Sequence, residues 1–315
     1  MSQQDQIERY LRTGGHDVFC AHWPGASLLE CARNADQTLR QALISAVKDR
    51  TQSARMPAGL LGLDVEGLAR RKVSPMVQGL FPAVEQQPII EVLSRSVIFL
   101  DPGNIEPVLS SVPFLRTAWD LANLYLLSCD ASPLSDEAVP IVGLSEGAKC
   151  YVSMAYLQKQ GRLEDFLVHE AAHVFHNCRR ATLGLSDRGK REWLLSIAYY
   201  KRETFAYACE AYSRIIEIGA TRAARVQLAA EITDREMPPD DRVDTKDYRR
   251  VLGEAVEVRN GWRRILASCA PASQLGGLET CTVTPVARTP KPARHSGRAK
   301  SSAASACARQ PQLAC

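Results

Sequence analysis

The segment Phe166–Asn177 constrains the fold more than any other part of the chain, because it holds three of the six histidines. On a helix with about 100° per residue, His169, His173 and His176 lie within about 60° of arc. Two apolar stripes cover the other faces of this helix; they consist of Leu163, Leu167, Ala171 and Val174, and of Val168, Ala172 and Phe175. A helix that is apolar on most sides is normally buried. The pattern predicts a buried helix near residues 162–180 whose histidines face an interior cleft.

His169, Glu170 and His173 form the pattern H-E-x-x-H within this helix. Residues four apart lie one turn apart with about 6 Å of rise, so both imidazoles can reach one zinc ion at about 2.0–2.1 Å. Glu170 projects beside that position, where it can accept a proton from a bound water. His176 lies about 10.5 Å along the axis from His169, so we interpret it as part of the cleft wall or as a neighbour of a ligand. The alternative is a core helix whose histidines are only hydrogen-bonded.

At these residues the chain resembles the H-E-x-x-H zinc metallopeptidases, the zincins, over residues 148–212. The resemblance implies that His169 and His173 bind zinc and that Glu170 is the general base. Metzincins continue the motif with a glycine and a third histidine, at positions that His176 and Arg179 occupy here. The sequence therefore excludes that subclass and favours one whose third ligand is a glutamate.

The third ligand is expected from a second helix, predicted over residues 189–218. Its segment around Glu203 and Ala206 looks like the E-x-x-A element of glutamate-type zincins, which implies Glu203 as the third ligand. Glu210 is the competing candidate, because it is the only charged residue between positions 205 and 212 and is expected to point into a buried region. About 10.5 Å of rise separate the two glutamates, so one ion cannot bind both. We favour Glu203.

The resemblance implies a zinc-dependent hydrolase, in particular a metallopeptidase acting on a peptide or protein. Such an enzyme needs a donor to the oxyanion besides the metal, and Tyr207, Tyr199 and Arg202 are the candidates. Tyr207 stands where related families often carry an aspartate. One alternative is a zincin-like module that binds metal without turnover and serves a regulatory role. Another is a nucleic-acid adaptor that acts through a basic C-terminal tail.

The periodicity predicts a predominantly helical α+β fold that combines a zincin-like helix pair with a small mixed sheet. Helical patterns lie near residues 3–12, 28–51, 64–72, 116–129, 162–180, 189–218, 221–235 and 244–268. Strand patterns are Ser96–Asp101, Val139–Leu144 and Lys149–Leu157. The last of these precedes the histidine helix and is either a core strand or the strand that pairs with an extended substrate.

Three regions are expected along the chain: a helical N-terminal cap or subdomain over 1–95, a catalytic domain over 96–282 and a disordered basic tail over 283–315. Residues 286–315 hold six of the 39 basic residues and no acidic one, which leaves 33 basic against 35 acidic residues before them. The body is therefore nearly neutral, and the net charge of +4 comes from the tail. This pattern argues against a nucleic-acid partner for the body of the protein, since only the tail is basic.

The sequence also indicates a compartment. It shows no signal peptide and no apolar stretch of about 18 residues, which predicts a cytoplasmic protein without a membrane partner. The ten cysteines form no C-x-x-C pair, so we expect free thiols rather than disulfides or a zinc ribbon.

Overall fold

The computed structural model describes residues 2–136, 138, 143–157, 161–185 and 192–271. Within these ranges the chain forms eleven α-helices and three strands. The helices are α1 Gln3–Thr13, α2 Leu28–Arg50, α3 Val65–Leu80, α4 Ala83–Ser96, α5 Ile105–Ser111, α6 Leu115–Ser128, α7 Phe166–Asn177, α8 Arg202–Ile218, α9 Arg222–Ala230, α10 Thr245–Glu257 and α11 Gly261–Cys269. The strands are β1 Val97–Leu100, β2 Gly143–Glu146 and β3 Lys149–Ser153. The predicted helix-rich α+β class with a small sheet is confirmed, and the zincin-like character of the helix pair stays a prediction.

The sheet is mixed and has the strand order β1-β3-β2. Its central strand β3 pairs parallel to β1, with Val97 opposite Cys150, and antiparallel to β2, with Gly143 opposite Val152. The prediction that Lys149–Leu157 pairs with a substrate is therefore wrong, because both edges of β3 are already hydrogen-bonded to neighbouring strands. The core-strand alternative is correct for Lys149–Ser153, whereas Met154–Leu157 form a short 3₁₀ helix, and β1 and β2 are the two edge strands of this sheet.

Successive side chains of a strand point to opposite faces, and here each face packs against a different set of helices. Phe99, Cys150 and Val152 belong to one hydrophobic core, which they share with α3, α4, α7, α8, α10 and α11. Leu100 and Tyr151 belong to a second core, which they share with α1, α2, α5 and α6. The sheet therefore lies between two helical layers, and the histidine helix α7 packs on the first face.

Residues 1–95 contribute to both layers, since α1 and α2 join the second core whereas α3 and α4 join the first. None of the residues described below as lining the cleft comes from this region. The predicted domain boundaries stay predictions. The tail over 283–315 and most of the predicted strand Val139–Leu144 lie outside the described residues.

Among the helices that the structure describes, none combines the length and the apolar character that crossing a lipid bilayer requires. The seven cysteines within the described ranges all carry free thiols. This agrees with the expectation of thiols for that part of the chain.

Helices α3 and α11 cross closely at Gly79, which leads to a stability prediction. A Cβ atom at Gly79 would lie 2.2 Å from Cδ1 of Trp262. We expect Gly79→Ala to lower the free energy of unfolding by about 1–3 kcal/mol, because the indole must move within a packed core. The control is Gly253→Ala in α10, where nothing lies within 4 Å of an added Cβ and a gain of roughly 0.5–1 kcal/mol is expected. Urea unfolding measures both, and equal effects would contradict the packing argument.

Candidate metal centre

Helix α7 carries the H-E-x-x-H pattern in a buried position. It begins after Asp165, whose side chain caps the helix by accepting a hydrogen bond from the backbone N–H of Val168. Every residue from Leu167 to His176 is buried. The pattern residues line a cleft of about 1330 Å³ that is bounded by α8, β2 and the loop before α10. The prediction of a buried helix with histidines facing an interior cleft is confirmed.

Three side chains converge in this cleft. The Nε2 atoms of His169 and His173 lie 3.1 Å apart. The Glu203 Oε2 atom lies 3.5 Å from Nε2 of His173 and 3.9 Å from Nε2 of His169. His169, His173 and Glu203 each offer one possible metal-ligand atom, and these three atoms lie within 4.8 Å of one another, so this cluster could hold a metal ion. Ligand atoms at about 2.0–2.2 Å from a tetrahedral ion stand roughly 3.3–3.6 Å apart, which is close to the three observed distances.

Glu210 lies on the other side of the His169 ring from Glu203. Its Oε2 atom is 3.1 Å from Nδ1 of His169, and its Oε1 atom accepts a hydrogen bond of 2.7 Å from the backbone N–H of Asp165. A carboxylate only accepts hydrogen bonds, so Nδ1 of His169 carries a proton, and when the ring is neutral its Nε2 atom presents a lone pair to the cluster. The structure thus brings Glu203, and not Glu210, to the two Nε2 atoms.

His173 is oriented in a similar way by His176. The Nδ1 atom of His173 lies 3.3 Å from Nε2 of His176. If His173 donates this hydrogen bond, its Nε2 atom is free to accept a metal. Burial lowers the pKa of His176 to about 2, so this ring is neutral and can accept the bond. His176 therefore stands beside a candidate ligand, as the sequence predicts.

Burial and the neighbouring charged groups both shift the pKa values of His169 and Glu203. Burial alone would lower the pKa of His169, but its hydrogen bond to Glu210 and the nearby carboxylates raise it above the ordinary value. Burial alone would raise the pKa of Glu203, but His173, His169 and Arg242 together lower it. Arg242 lies 3.0 Å from Glu203 Oε1, the oxygen that faces away from the histidines. Glu203 is therefore held as a carboxylate at neutral pH.

A buried ion pair supports the start of α7. Asp165 is fully buried, and its Oδ2 atom lies 2.8 Å from Nζ of Lys72 on α3. The hydroxyl of Tyr156 donates a 2.7 Å hydrogen bond to Asp165 Oδ1. Through the Asp165 backbone, this network reaches Glu210 and then His169. The sequence alone does not predict the roles of Lys72, Asp165 and Arg242; only the capping position of Asp165 could have been found from local sequence.

Glu170 is buried against the edge strand. A Cβ atom at Gly143 of β2 would lie 2.8 Å from Cγ of Glu170, so the absence of a side chain at position 143 makes room for this glutamate. Both residues line the cleft. Glu170 therefore lies in the cleft but is not one of the three converging ligand candidates.

The three candidate oxyanion donors all line the cleft, at different depths. Tyr207 lies edge-on to the His169 ring, with 4.4 Å between ring centroids. Burial raises the pKa of Tyr207, so its hydroxyl keeps the proton that a donor needs. Tyr199 is 83% exposed at the rim, and the Arg202 guanidinium stacks on it at 5.2 Å. Tyr207 thus contacts a histidine of the cluster, and its role stays a prediction.

No protein-family model, no curated protein and no solved structure matches the chain. The resemblance to zincins is therefore an expectation carried by His169, Glu170, His173, Glu203 and Ala206. Because one fold can host many activities, a function must in any case be argued from the site.

Proposed function

We propose that the protein is a zinc-dependent hydrolase that cleaves peptide bonds. The observation that carries the proposal is the convergence of two imidazole Nε2 atoms and the Glu203 carboxylate within 4.8 Å, in a cleft that also contains Glu170. Zinc held by His169, His173 and Glu203 would polarise a substrate carbonyl and lower the pKa of a bound water.

The type and number of the candidate metal ligands support a catalytic rather than a structural zinc. Imidazole nitrogen and carboxylate oxygen are common zinc ligands, and catalytic sites supply three of them and leave one position open. The described residues supply His169, His173 and Glu203, with no fourth histidine, cysteine or carboxylate in the cluster. The hydrogen bonds at both Nδ1 atoms orient the rings, as is usual for ligating histidines.

Glu170 is the proposed general base. It takes the proton from the attacking water and passes it to the leaving amine, a role that requires a carboxylate in the cleft but free of the ligand cluster. Tyr207 is the proposed donor to the carbonyl oxygen as negative charge develops there. Its contact with His169 places it beside the reacting groups.

The edge strand supports a peptide as the substrate class. Gly143, Leu144 and Ser145 of β2 line the cleft, and β2 has a neighbour on only one side within the described sheet. An extended peptide can add to such an edge through backbone hydrogen bonds. The proposed binding strand is thus β2, next to Glu170, instead of β3.

Metal analysis and cleavage profiling test the proposal together. We expect one zinc per purified chain, cleavage of a proteome-derived peptide library, loss of cleavage with a chelator and recovery on adding one equivalent of zinc. His169→Ala and His173→Ala are expected to lose the metal, because each removes one of three ligands. Full zinc retention in both variants would contradict the proposed zinc site. Zinc binding without cleavage of any peptide would instead support the regulatory metal-binding module.

A further inference from the structure

Arg202 is an unpaired cation in the cleft. Of the arginines that line it, Arg162 forms an ion pair with Glu236, Arg242 pairs with Glu203 and Asp240, and Arg235 is exposed to solvent. Arg202 is half-buried and has neither an ion pair nor a hydrogen bond with any residue that the structure describes. Its Nε atom is buried without an acceptor. The two terminal nitrogens are not among the buried atoms and have no acceptor in the described residues, so they are the donors that a ligand in the cleft can reach.

The position of Arg202 is fixed relative to the metal centre. It is the first residue of α8 and directly precedes Glu203. The ring of Tyr199 holds its guanidinium from one side. Glu210 of α8 contacts His169, whereas Glu203 contacts His173, which lies one turn further along α7. Helix α8 therefore runs antiparallel to α7, and its Arg202 end lies beside the end of α7 that carries His176.

We propose that Arg202 binds a carboxylate of the substrate, so that the preferred peptides carry one on the His176 side of the scissile bond. This inference rests on the proposed peptidase function. A guanidinium offers a planar fork of N–H donors that matches the two oxygens of a carboxylate. Stacking on Tyr199 holds one face of the guanidinium and leaves the N–H groups at its edge available. The carboxylate is either the free C-terminus of the peptide or the side chain of an aspartate or glutamate.

Binding measurements separate this inference from the hydrolase proposal. The protein used is the full-length, metal-loaded Glu170→Gln variant, which leaves the peptides intact. The probes are fluorescein-labelled hexapeptides based on alanine. One peptide ends in a free carboxylate, one ends in an amide, and amide-terminated peptides carry a single glutamate or glutamine at each position. We expect at least one carboxylate peptide to bind on the order of 10-fold more tightly than its neutral counterpart, measured by fluorescence anisotropy. The C-terminal and side-chain arms distinguish the two sources of the carboxylate.

Variants at Arg202 and at the control position Arg235 test whether Arg202 binds the carboxylate. Arg202→Gln should reduce the preference for carboxylate peptides to about 1-fold, and Arg202→Lys should retain part of it because the charge remains. Arg235→Gln, the same charge change at an exposed arginine of the cleft, should retain the full preference. A preference that persists in Arg202→Gln would assign the carboxylate to the metal or to another cation and overturn the inference. So would an equal loss of affinity for all peptides, the result expected of an oxyanion donor or a folding defect. Carboxylate binding without hydrolysis by the unsubstituted chain would contradict only the peptidase function.

Discussion

Glu170→Gln is expected to keep the metal and the fold but to lower turnover by about 10²- to 10⁴-fold, the contribution typical of a general base. The amide is nearly isosteric with the carboxylate, so it fits the space beside Gly143 in which Glu170 is buried. It cannot accept the proton of the attacking water. Because Glu170 is not part of the ligand cluster, zinc content should not change. The measurements are turnover on any peptide that the unsubstituted chain cleaves, zinc per chain and the thermal unfolding midpoint.

The matched control for this variant is Glu164→Gln. Glu164 is another carboxylate that lines the cleft, but it is exposed and accepts a hydrogen bond from the Gly161 backbone instead of packing beside the histidines. Turnover in Glu164→Gln should remain within a few-fold of the original. Unchanged turnover in Glu170→Gln would remove its assignment as general base. Loss of zinc from Glu170→Gln would instead place Glu170 among the ligands.

Local periodicity is sufficient to predict the helix that carries His169 and His173, because spacing and apolar faces are properties of consecutive residues. It also places Glu203 on a second helix. It does not predict α4 or α5, which contain Pro88 and Pro107, since a proline within a pattern normally argues against a helix. The helix predicted over 189–218 begins only at Arg202, and the described residues before it, 192–201, form an irregular segment and a short 3₁₀ helix.

The remaining parts of the site depend on contacts between residues far apart in the chain. Lys72 reaches Asp165 from α3, and Arg242 reaches Glu203 from the loop before α10. The strand order of the sheet decides that β2, and not β3, lies at the edge. No local pattern encodes such pairings, so the sequence predicts the candidate ligands but not the groups that hold them in place.

Glu203 and Glu210 of α8 are expected to have different roles, Glu203 in zinc affinity and Glu210 mainly in the stability of the fold. Glu203→Ala should lower zinc affinity far more than Glu210→Ala, because only Glu203 has an oxygen near both Nε2 atoms. Glu210 holds Nδ1 of His169, and loss of such a partner typically costs about 10- to 100-fold in metal affinity. Zinc affinity is measured by competition with a chelator of known affinity.

Stability should show the opposite order. Glu210→Ala leaves Nδ1 of His169 and the backbone N–H of Asp165 buried without their acceptor, so we expect a loss of about 3–5 kcal/mol in the free energy of unfolding of the metal-free chain. Glu203 lies at the cleft, and the exposed Arg242 keeps its ion pair with Asp240 when Glu203 is removed, so Glu203→Ala should cost at most about 1 kcal/mol. Glu210→Gln is the conservative control, since its amide oxygen can still accept one of the two hydrogen bonds. Weaker zinc binding in Glu210→Ala than in Glu203→Ala, with the smaller stability loss also in Glu210→Ala, would assign the third ligand to Glu210.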